Sequence, residues 1–148
     1  MNTVYYFAYG SNMNHEQMKK RCENAKFIER GYIENYDFVY DGYSSYRKGA
    51  VGNIIPCEGS IVFGALWEIS EDDLKNLDRY EGYPYVYNRK LMIVKDDKGL
   101  EYNAWVYLRE PQEIGMPSKE YHDIVIMGAK ECNLPEDYIN KKLKRYEY

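Results

Sequence analysis

The segment TVYYFAYGSNM, residues 3–13, decides how the fold begins. Residues 3–9 are mostly β-branched or aromatic, which is typical of a strand, and Gly10, Ser11 and Asn12 are turn residues that end it. The polar residues 14–22 favour a short helix. The segment therefore predicts a strand, a tight turn and the start of a helix.

The turn at residues 10–12 has two readings. Its backbone N–H groups could converge on an anionic group such as a carboxylate. It could also be a plain turn, because Gly, Ser and Asn are common wherever the backbone needs their tolerance. Ser11 is a poor candidate for a nucleophile, since the G-x-S-x-G elbow is absent and no triad partner can be assigned.

The rest of the chain carries further strand and helix patterns. Strands are predicted at 27–33, 36–40, 60–69, 85–94 and 100–108, and the last two flank the hairpin turn Asp96-Asp97-Lys98-Gly99. The Gly-rich residues 41–53 are predicted to form a loop. Further helices are predicted from Pro135 onward and from residues 117–118 onward, the latter with a buried face of Tyr121, Ile124, Val125, Gly128 and Cys132.

A helix at 71–79 carries signals at both ends. Ser70, followed by three acids, is an N-terminal capping signature. Gly82 permits a positive φ and Pro84 cannot continue helical hydrogen bonding, so the helix should stop near Glu81-Gly82. Glu81 is therefore predicted to lie where a helix turns into a strand.

Two acids three residues apart, Asp78 and Glu81, end this helix. Such acids are usually solvated, but a carboxylate turned inward beside tyrosine rings could serve as a general base, because burial disfavours its charged form. Asp78 is predicted to be structural. Strand alternation puts Arg89 on one face with Tyr85 and Tyr87, where it would either bind a substrate carboxylate or form a structural ion pair.

Length and composition limit the class of protein. A chain of 148 residues with 45% apolar content fits one domain, residues 1–148. A formal charge of -4 argues against an extended duplex nucleic-acid surface. No stretch predicts a membrane span, and the first residues lack the basic segment of a secretion signal.

The cysteines and histidines are few and scattered. Cys22, Cys57 and Cys132 show no C-x-x-C spacing, and their odd number fits a reducing cytoplasm. His15 and His122 are not near a cysteine in sequence, so the usual soft metal-site patterns are missing. The dinucleotide and P-loop motifs are also absent. We therefore expect a cytoplasmic protein that needs no metal or organic cofactor.

Six short segments occur in a characteristic order along the chain. They are Tyr9-Gly10-Ser11-Asn12-Met13, Gly64-Ala65-Leu66-Trp67, Leu77-Asp78-x-x-Glu81-Gly82, Tyr87-x-Arg89, Pro117-Ser118-x-x-Tyr121 and Met127-Gly128-Ala129-Lys130-Glu131. Each is weak alone, but their joint order and spacing resemble the γ-glutamylcyclotransferase family, including its AIG2-like branch. The resemblance implies an α+β fold, namely a small mixed β-barrel with helices packed outside and a cavity at one end.

The resemblance also implies roles for particular residues. Glu81 would be the catalytic acid/base, and the substrate would be held by Tyr9, Gly10, Ser11 and Asn12, with Tyr121 a weaker candidate for the pocket. The implied reaction, of acyltransferase or lyase type, is attack of the α-amine on a γ-glutamyl amide, which gives 5-oxoproline and a free amino acid or amine. The implied partner is this small molecule, not nucleic acid or membrane, and the protein would be a monomer or homodimer.

Two alternatives stay open on the sequence alone. The protein could be a cyclotransferase for γ-glutamylamines or for a γ-glutamyl-protected metabolite, or a non-catalytic barrel that binds a small metabolite. The Tyr-rich residues 43–49 match the family least, and a loop there could change which leaving group fits.

Overall fold

The computed structural model describes residues 2–147. Within them lie five strands: β1 (Thr3–Ala8), β2 (Lys26–Ser44), β3 (Gly49–Ser70), β4 (Asn88–Lys95) and β5 (Glu101–Leu108). The strands form a closed barrel in the order β1-β3-β2-β4-β5. β1 runs parallel to β5, and the other neighbouring pairs are antiparallel. The mixed barrel that the resemblance implied is confirmed.

The helices begin at capping residues. Asn14 accepts a hydrogen bond from the Gln17 N–H at the start of α1 (His15–Arg21), and Ser70 accepts one from the Asp73 N–H at the start of α2 (Glu71–Glu81). Ser118 caps α3 (Lys119–Glu131) in the same way. After α3 comes the short helix α4 (Glu136–Tyr138), which continues as a π-helix through Ile139–Leu143. No helix among residues 2–147 is long and apolar enough to cross a membrane.

β2 and β3 are longer than the sequence predicted. The strands predicted at 27–33 and 36–40 are one strand, β2, whose ladder is interrupted by a bulge between Glu34 and Tyr36. The loop predicted at 41–53 is wrong, because the two strands pair up to Ser44 and Gly49 and only residues 45–48 form the turn. The two polar residues at the ends of this segment, Asp41 and Asn53, are buried and bound to each other, with the Asn53 side-chain amide donating to the Asp41 carboxylate at 3.1 Å.

β4 begins later than predicted. The N–H groups of Tyr85 and Val86 both donate to the Gly82 carbonyl, so the turn after α2 extends through residue 86. Tyr85 is 94% exposed, whereas Tyr87 and Arg89 are half-buried. The predicted common face of these three residues is therefore wrong at Tyr85.

α3 packs on the barrel through the face that its periodicity predicted. Tyr121, Val125, Gly128 and Cys132 are buried, and Ile124 is half-buried. A Cβ at Gly128 would collide with the backbone nitrogen of Asn14. α3 therefore lies directly against the turn that follows β1, and it fixes that turn against the barrel.

Candidate active site

One end of the barrel opens into a cavity of about 850 Å³. The carboxyl ends of β1 and β5 meet there, and the end of α2, the start of α3 and the tip of the β2–β3 hairpin complete the wall. All the site residues predicted from the sequence line this cavity: Tyr9, Gly10, Ser11, Asn12, Glu81 and Tyr121. Residues up to 112 positions apart in sequence thus share one wall.

The turn after β1 offers backbone donors to this cavity. Met13 and Asn14 donate back to the carbonyls of Gly10 and Ser11, which closes the turn. Among residues 2–147, the N–H groups of Gly10, Ser11 and Asn12 have no hydrogen-bond partner. Three consecutive unpaired N–H groups beside a cavity are an arrangement that binds anions.

The side chains of this turn are tied to α1. The Gln17 amide donates to Ser11 Oγ at 2.7 Å and to Asn12 Oδ1 at 2.9 Å, and Arg21 also donates to Asn12 Oδ1. The Asn12 amide in turn donates to the Tyr6 hydroxyl. Both the amide nitrogen and the amide oxygen of Asn12 are therefore hydrogen-bonded within the protein, and Asn12 holds the turn in place. The hydroxyl hydrogen of Ser11 is still available to a ligand.

Tyr9 differs from its neighbours in the turn. Its ring is buried in the cavity wall, but its hydroxyl donates to the Tyr107 carbonyl at 2.6 Å. The hydroxyl hydrogen is thus used to join β1 to β5. What Tyr9 offers to a ligand is the side of its ring and the lone pair of its oxygen.

Glu81 is the last residue of α2 and is positioned by the turn after it. Gly82 adopts the left-handed conformation, with φ 68°, and the N–H groups of Gly82 and Tyr83 bond to carbonyls of the last helical turn. The helix is thereby ended as the sequence predicted. The Glu81 side chain, only 18% exposed, lies 3.7 Å from the Arg21 guanidinium.

The environment of Glu81 changes its acidity. Burial raises the pKa of Glu81 above its ordinary value, and the positive charges of Arg21, Arg47 and Arg109 oppose that rise without cancelling it. A carboxyl group with a raised pKa at the wall of a cavity is suited to both accepting and returning a proton.

Asp78, the second acid of the segment, is held by structural contacts. Its carboxylate pairs with Arg89 at 2.9 Å and accepts a hydrogen bond from the Tyr107 hydroxyl at 2.7 Å. Arg89 also lies over the Trp105 ring. Of the two roles considered for Arg89, the geometry matches the structural ion pair.

Tyr121 comes from α3 and reaches across to β3. Its hydroxyl oxygen accepts the Gly52 N–H at 3.1 Å, so its own hydrogen can be donated elsewhere. Burial raises the pKa of Tyr121, which keeps the phenol protonated at neutral pH. Tyr87, on the other side of Gly52, donates to the Gly52 carbonyl at 2.7 Å.

The sequence did not single out several cavity residues. Arg21, Arg47, Tyr87 and Arg109 line the cavity, and of these only Tyr87 belonged to a recognised segment. Arg47 lies within residues 43–49, which the sequence marked as a segment that could change the leaving group, but its place in the cavity depends on the β2–β3 hairpin, whose turn carries it. Within the described residues, no three His, Cys, Asp or Glu side chains are grouped so that they could hold a metal ion.

Comparisons with known proteins agree with this geometry. Residues 61–142 match the model of the AIG2-like family. The chain is 33% identical to mouse γ-glutamylcyclotransferase, over 98% of its own length and 79% of the mouse protein, and 34% identical to the human enzyme, over 96% and 78%. A solved structure of a γ-glutamyl cyclotransferase superimposes with a TM-score of 0.93 at 30% identity, covering 99% of this chain and 89% of that one. The chain therefore belongs to the γ-glutamylcyclotransferase, or AIG2-like, family.

Proposed function

We propose that this protein is a γ-glutamylcyclotransferase, which converts a γ-glutamyl amide into 5-oxoproline and a free amino acid or amine. One observation carries the proposal. One largely buried carboxylate with a raised pKa, that of Glu81, lines the same cavity as a turn with three unpaired N–H groups. Relatives named for this activity, matched over nearly the whole chain, support it.

The proposed substrate binds first through its glutamyl end. Its α-carboxylate accepts hydrogen bonds from the N–H groups of the turn at residues 10–12, and the Ser11 hydroxyl adds a further donor. This anchoring holds the α-amino group and the γ-carbonyl of the same molecule in the cavity. Folding the substrate into its ring-closing shape removes much of the entropic barrier to cyclisation.

The chemistry then needs only proton transfer. Glu81 takes a proton from the α-ammonium group, and the free amine attacks the γ-carbonyl carbon to form the five-membered lactam. The amide C–N bond breaks as Glu81 returns this proton to the leaving nitrogen. Glu81 also takes the second proton from the ring nitrogen and passes it to the released amine. Two protons leave the attacking nitrogen and two reach the leaving nitrogen overall, so no water is consumed and Glu81 ends as it began.

The raised pKa of Glu81 supports this assignment. Proton transfer is most efficient when the catalytic pKa lies near the working pH, and burial moves the pKa of Glu81 in that direction. The Arg21 charge at 3.7 Å keeps the carboxylate accessible as a base. In this reaction Tyr121 and Tyr87 contribute cavity walls and hydroxyl groups rather than the proton carrier.

The compartment and partners are also part of the proposal. All three cysteines are free, and burial raises the pKa of the Cys22 and Cys132 thiols to about 12, so neither behaves as a reactive thiolate. Free thiols support the cytoplasm as the working compartment. The proposed partner is the small γ-glutamyl substrate.

The test is release of 5-oxoproline from γ-glutamyl amino acids, γ-glutamylamines and glutathione. Wild-type protein, Glu81→Gln and Glu71→Gln are compared; Glu71 lies exposed at the other end of α2, so the second substitution is a matched control. We expect release by wild type and the control, and loss with Glu81→Gln. A folded wild-type protein that binds these compounds without product formation would favour the non-catalytic barrel instead.

A further inference from the structure

The cavity is lined by four arginines in a protein of net charge -4. They are Arg21, Arg47, Arg79 and Arg109. Such a concentration of positive charge indicates a cavity that takes up anionic ligands. How each arginine is already engaged shows which of them remains available to a ligand.

Two of these arginines have carboxylate partners. Arg109 is buried and pairs with the fully buried Asp41 at 2.8 Å. Arg21 lies 3.7 Å from Glu81 and donates to Asn12. Their charges are therefore compensated by groups that belong to the protein itself.

Arg79 is exposed at the margin and donates to Asn76 on its own helix. Because its guanidinium is exposed to solvent, the attraction between its charge and a ligand would be screened by water and salt and would be weak.

Arg47 is half-buried and, within the described part of the chain, has no carboxylate in direct contact. Among residues 2–147, no carboxylate lies within 4.0 Å of its guanidinium. Its one hydrogen-bond partner in that part of the chain is the neutral Gln17 amide, at 2.9 Å from Nη2. The guanidinium carbon lies 5.0 Å from the centre of the Tyr121 ring and 5.3 Å from that of Tyr46. A guanidinium has five N–H donors, so most of them are open to a ligand.

Arg47 is connected to the turn that is proposed to hold the glutamyl end. Gln17 donates to Ser11 and accepts from Arg47, so one side-chain amide joins the two positions. Tyr121 lies between them, with its ring against Arg47 and its hydroxyl near Gly10. A ligand anchored at the turn therefore has Arg47 as the next cationic group along this wall.

The chemistry of γ-glutamyl compounds identifies what Arg47 would bind. A γ-glutamyl amino acid has two carboxylates, one on the glutamyl group and one on the leaving group, whereas a γ-glutamylamine has only the first. The unpaired N–H groups of the turn suit the first carboxylate. A guanidinium with open donors suits a second, because charge-assisted and bidentate contacts to carboxylates are strong.

We propose that Arg47 binds the carboxylate of the leaving amino acid and so selects γ-glutamyl amino acids over γ-glutamylamines, an inference that rests on the proposed function. Arg47 is thereby a specificity-determining residue, placed in the cavity by the tip of the β2–β3 hairpin. Arg47 does not carry the proton, but its positive charge lowers the pKa of Glu81, the residue that does.

The test compares two substrates that differ at one group, γ-glutamyl-alanine and γ-glutamyl-alaninamide, by kcat/KM for 5-oxoproline release. Wild type should prefer the carboxylate substrate. Arg47→Gln should lower the ratio of kcat/KM for the carboxylate substrate to kcat/KM for the amide about 10- to 100-fold, the range for losing a hydrogen bond to a charged group, whereas the loss of its charge near Glu81 affects both substrates alike. Turnover of the amide then shows that the variant is folded.

Two further variants separate charge from general effects. Arg47→Lys keeps the cation and should retain part of the preference. Lys48→Gln removes a positive charge from the same turn, at an exposed residue that does not line the cavity, and should leave the ratio of the two substrates unchanged.

Each result has one meaning. Equal loss on both substrates with Arg47→Gln, or a wild-type protein that turns over both equally well, would overturn the role of Arg47 while leaving the cyclotransferase activity standing. A folded wild-type protein that releases 5-oxoproline from neither compound would overturn the proposed function, and this inference with it.

Discussion

Glu81→Gln is the substitution that tests the site most directly. It keeps the size and shape of the side chain and removes its ability to carry a proton. General acid/base catalysis typically contributes about 10²–10⁴-fold, so kcat should fall by that factor while KM changes little. The rate is measured as 5-oxoproline release from the preferred substrate across pH. In wild type, kcat/KM should rise with pH on a limb displaced upward from the ordinary pKa of glutamate, and the variant should lack that limb.

The same substitution has an expected effect on stability. Burial raises the pKa of Glu81 in the folded protein, so the folded state binds its proton more tightly than the unfolded state does. Its contribution to stability is therefore greatest below the unfolded pKa and is lost as the pH rises through the folded pKa. Glu81→Gln should thus have a higher Tm than wild type at neutral and alkaline pH, and the difference should shrink toward pH 4.

Activity and stability together make the test decisive. An inactive variant that is as stable as wild type or more so has lost chemistry rather than fold. Near-wild-type turnover by Glu81→Gln would refute the catalytic assignment. A Tm below that of wild type at alkaline pH would refute the claim that burial is the dominant influence on this carboxylate.

Three further predictions concern the surroundings of Glu81. Ser11→Ala should raise KM about 3- to 10-fold with little change in kcat, because the hydroxyl is proposed to bind the ground state; steady-state kinetics would contradict this if kcat fell instead. Gly82→Ala should cost about 1–2 kcal/mol in thermal unfolding, because φ is 68° and the added methyl meets Val86, whereas Gly82→Asn, which tolerates that φ, should cost less. Asp78→Asn should destabilise the protein by about 1–3 kcal/mol in urea unfolding, since Arg89 loses its partner; a fully stable but inactive variant would instead give Asp78 a part in the chemistry.

The end of α2 was predictable because its signals are local. Ser70, Gly82 and Pro84 act on their immediate neighbours, so the sequence placed Glu81 at the helix end, where it lies. The buried face of α3 was predictable for the same reason. Its spacing follows the helical period, which does not depend on what the helix packs against.

The β2–β3 hairpin was not predictable from local signals. Its outer half contains Asp41, Gly42, Gly49 and Asn53, which favour loops when each is considered alone. In the fold, Asn53 exchanges hydrogen bonds with the backbone of Arg109, more than fifty residues away, so a distant segment satisfies the polar groups. The tip of this hairpin brings Arg47 to the cavity, and that residue was missed for the same reason.

The hairpin tip differs from the rest of the cavity wall in how tightly the surrounding structure constrains it. Glu81 is positioned by the end of α2, and the turn after β1 is held by the close packing of Gly128 against Met13 and Asn14. The turn at 45–48 is only the end of a two-stranded ladder, and insertion or exchange of its residues leaves the pairing of the inner strands intact. In the proposed mechanism, exchanges at the hairpin tip therefore alter the leaving-group preference without disturbing the elements that hold Glu81 and the turn at residues 10–12.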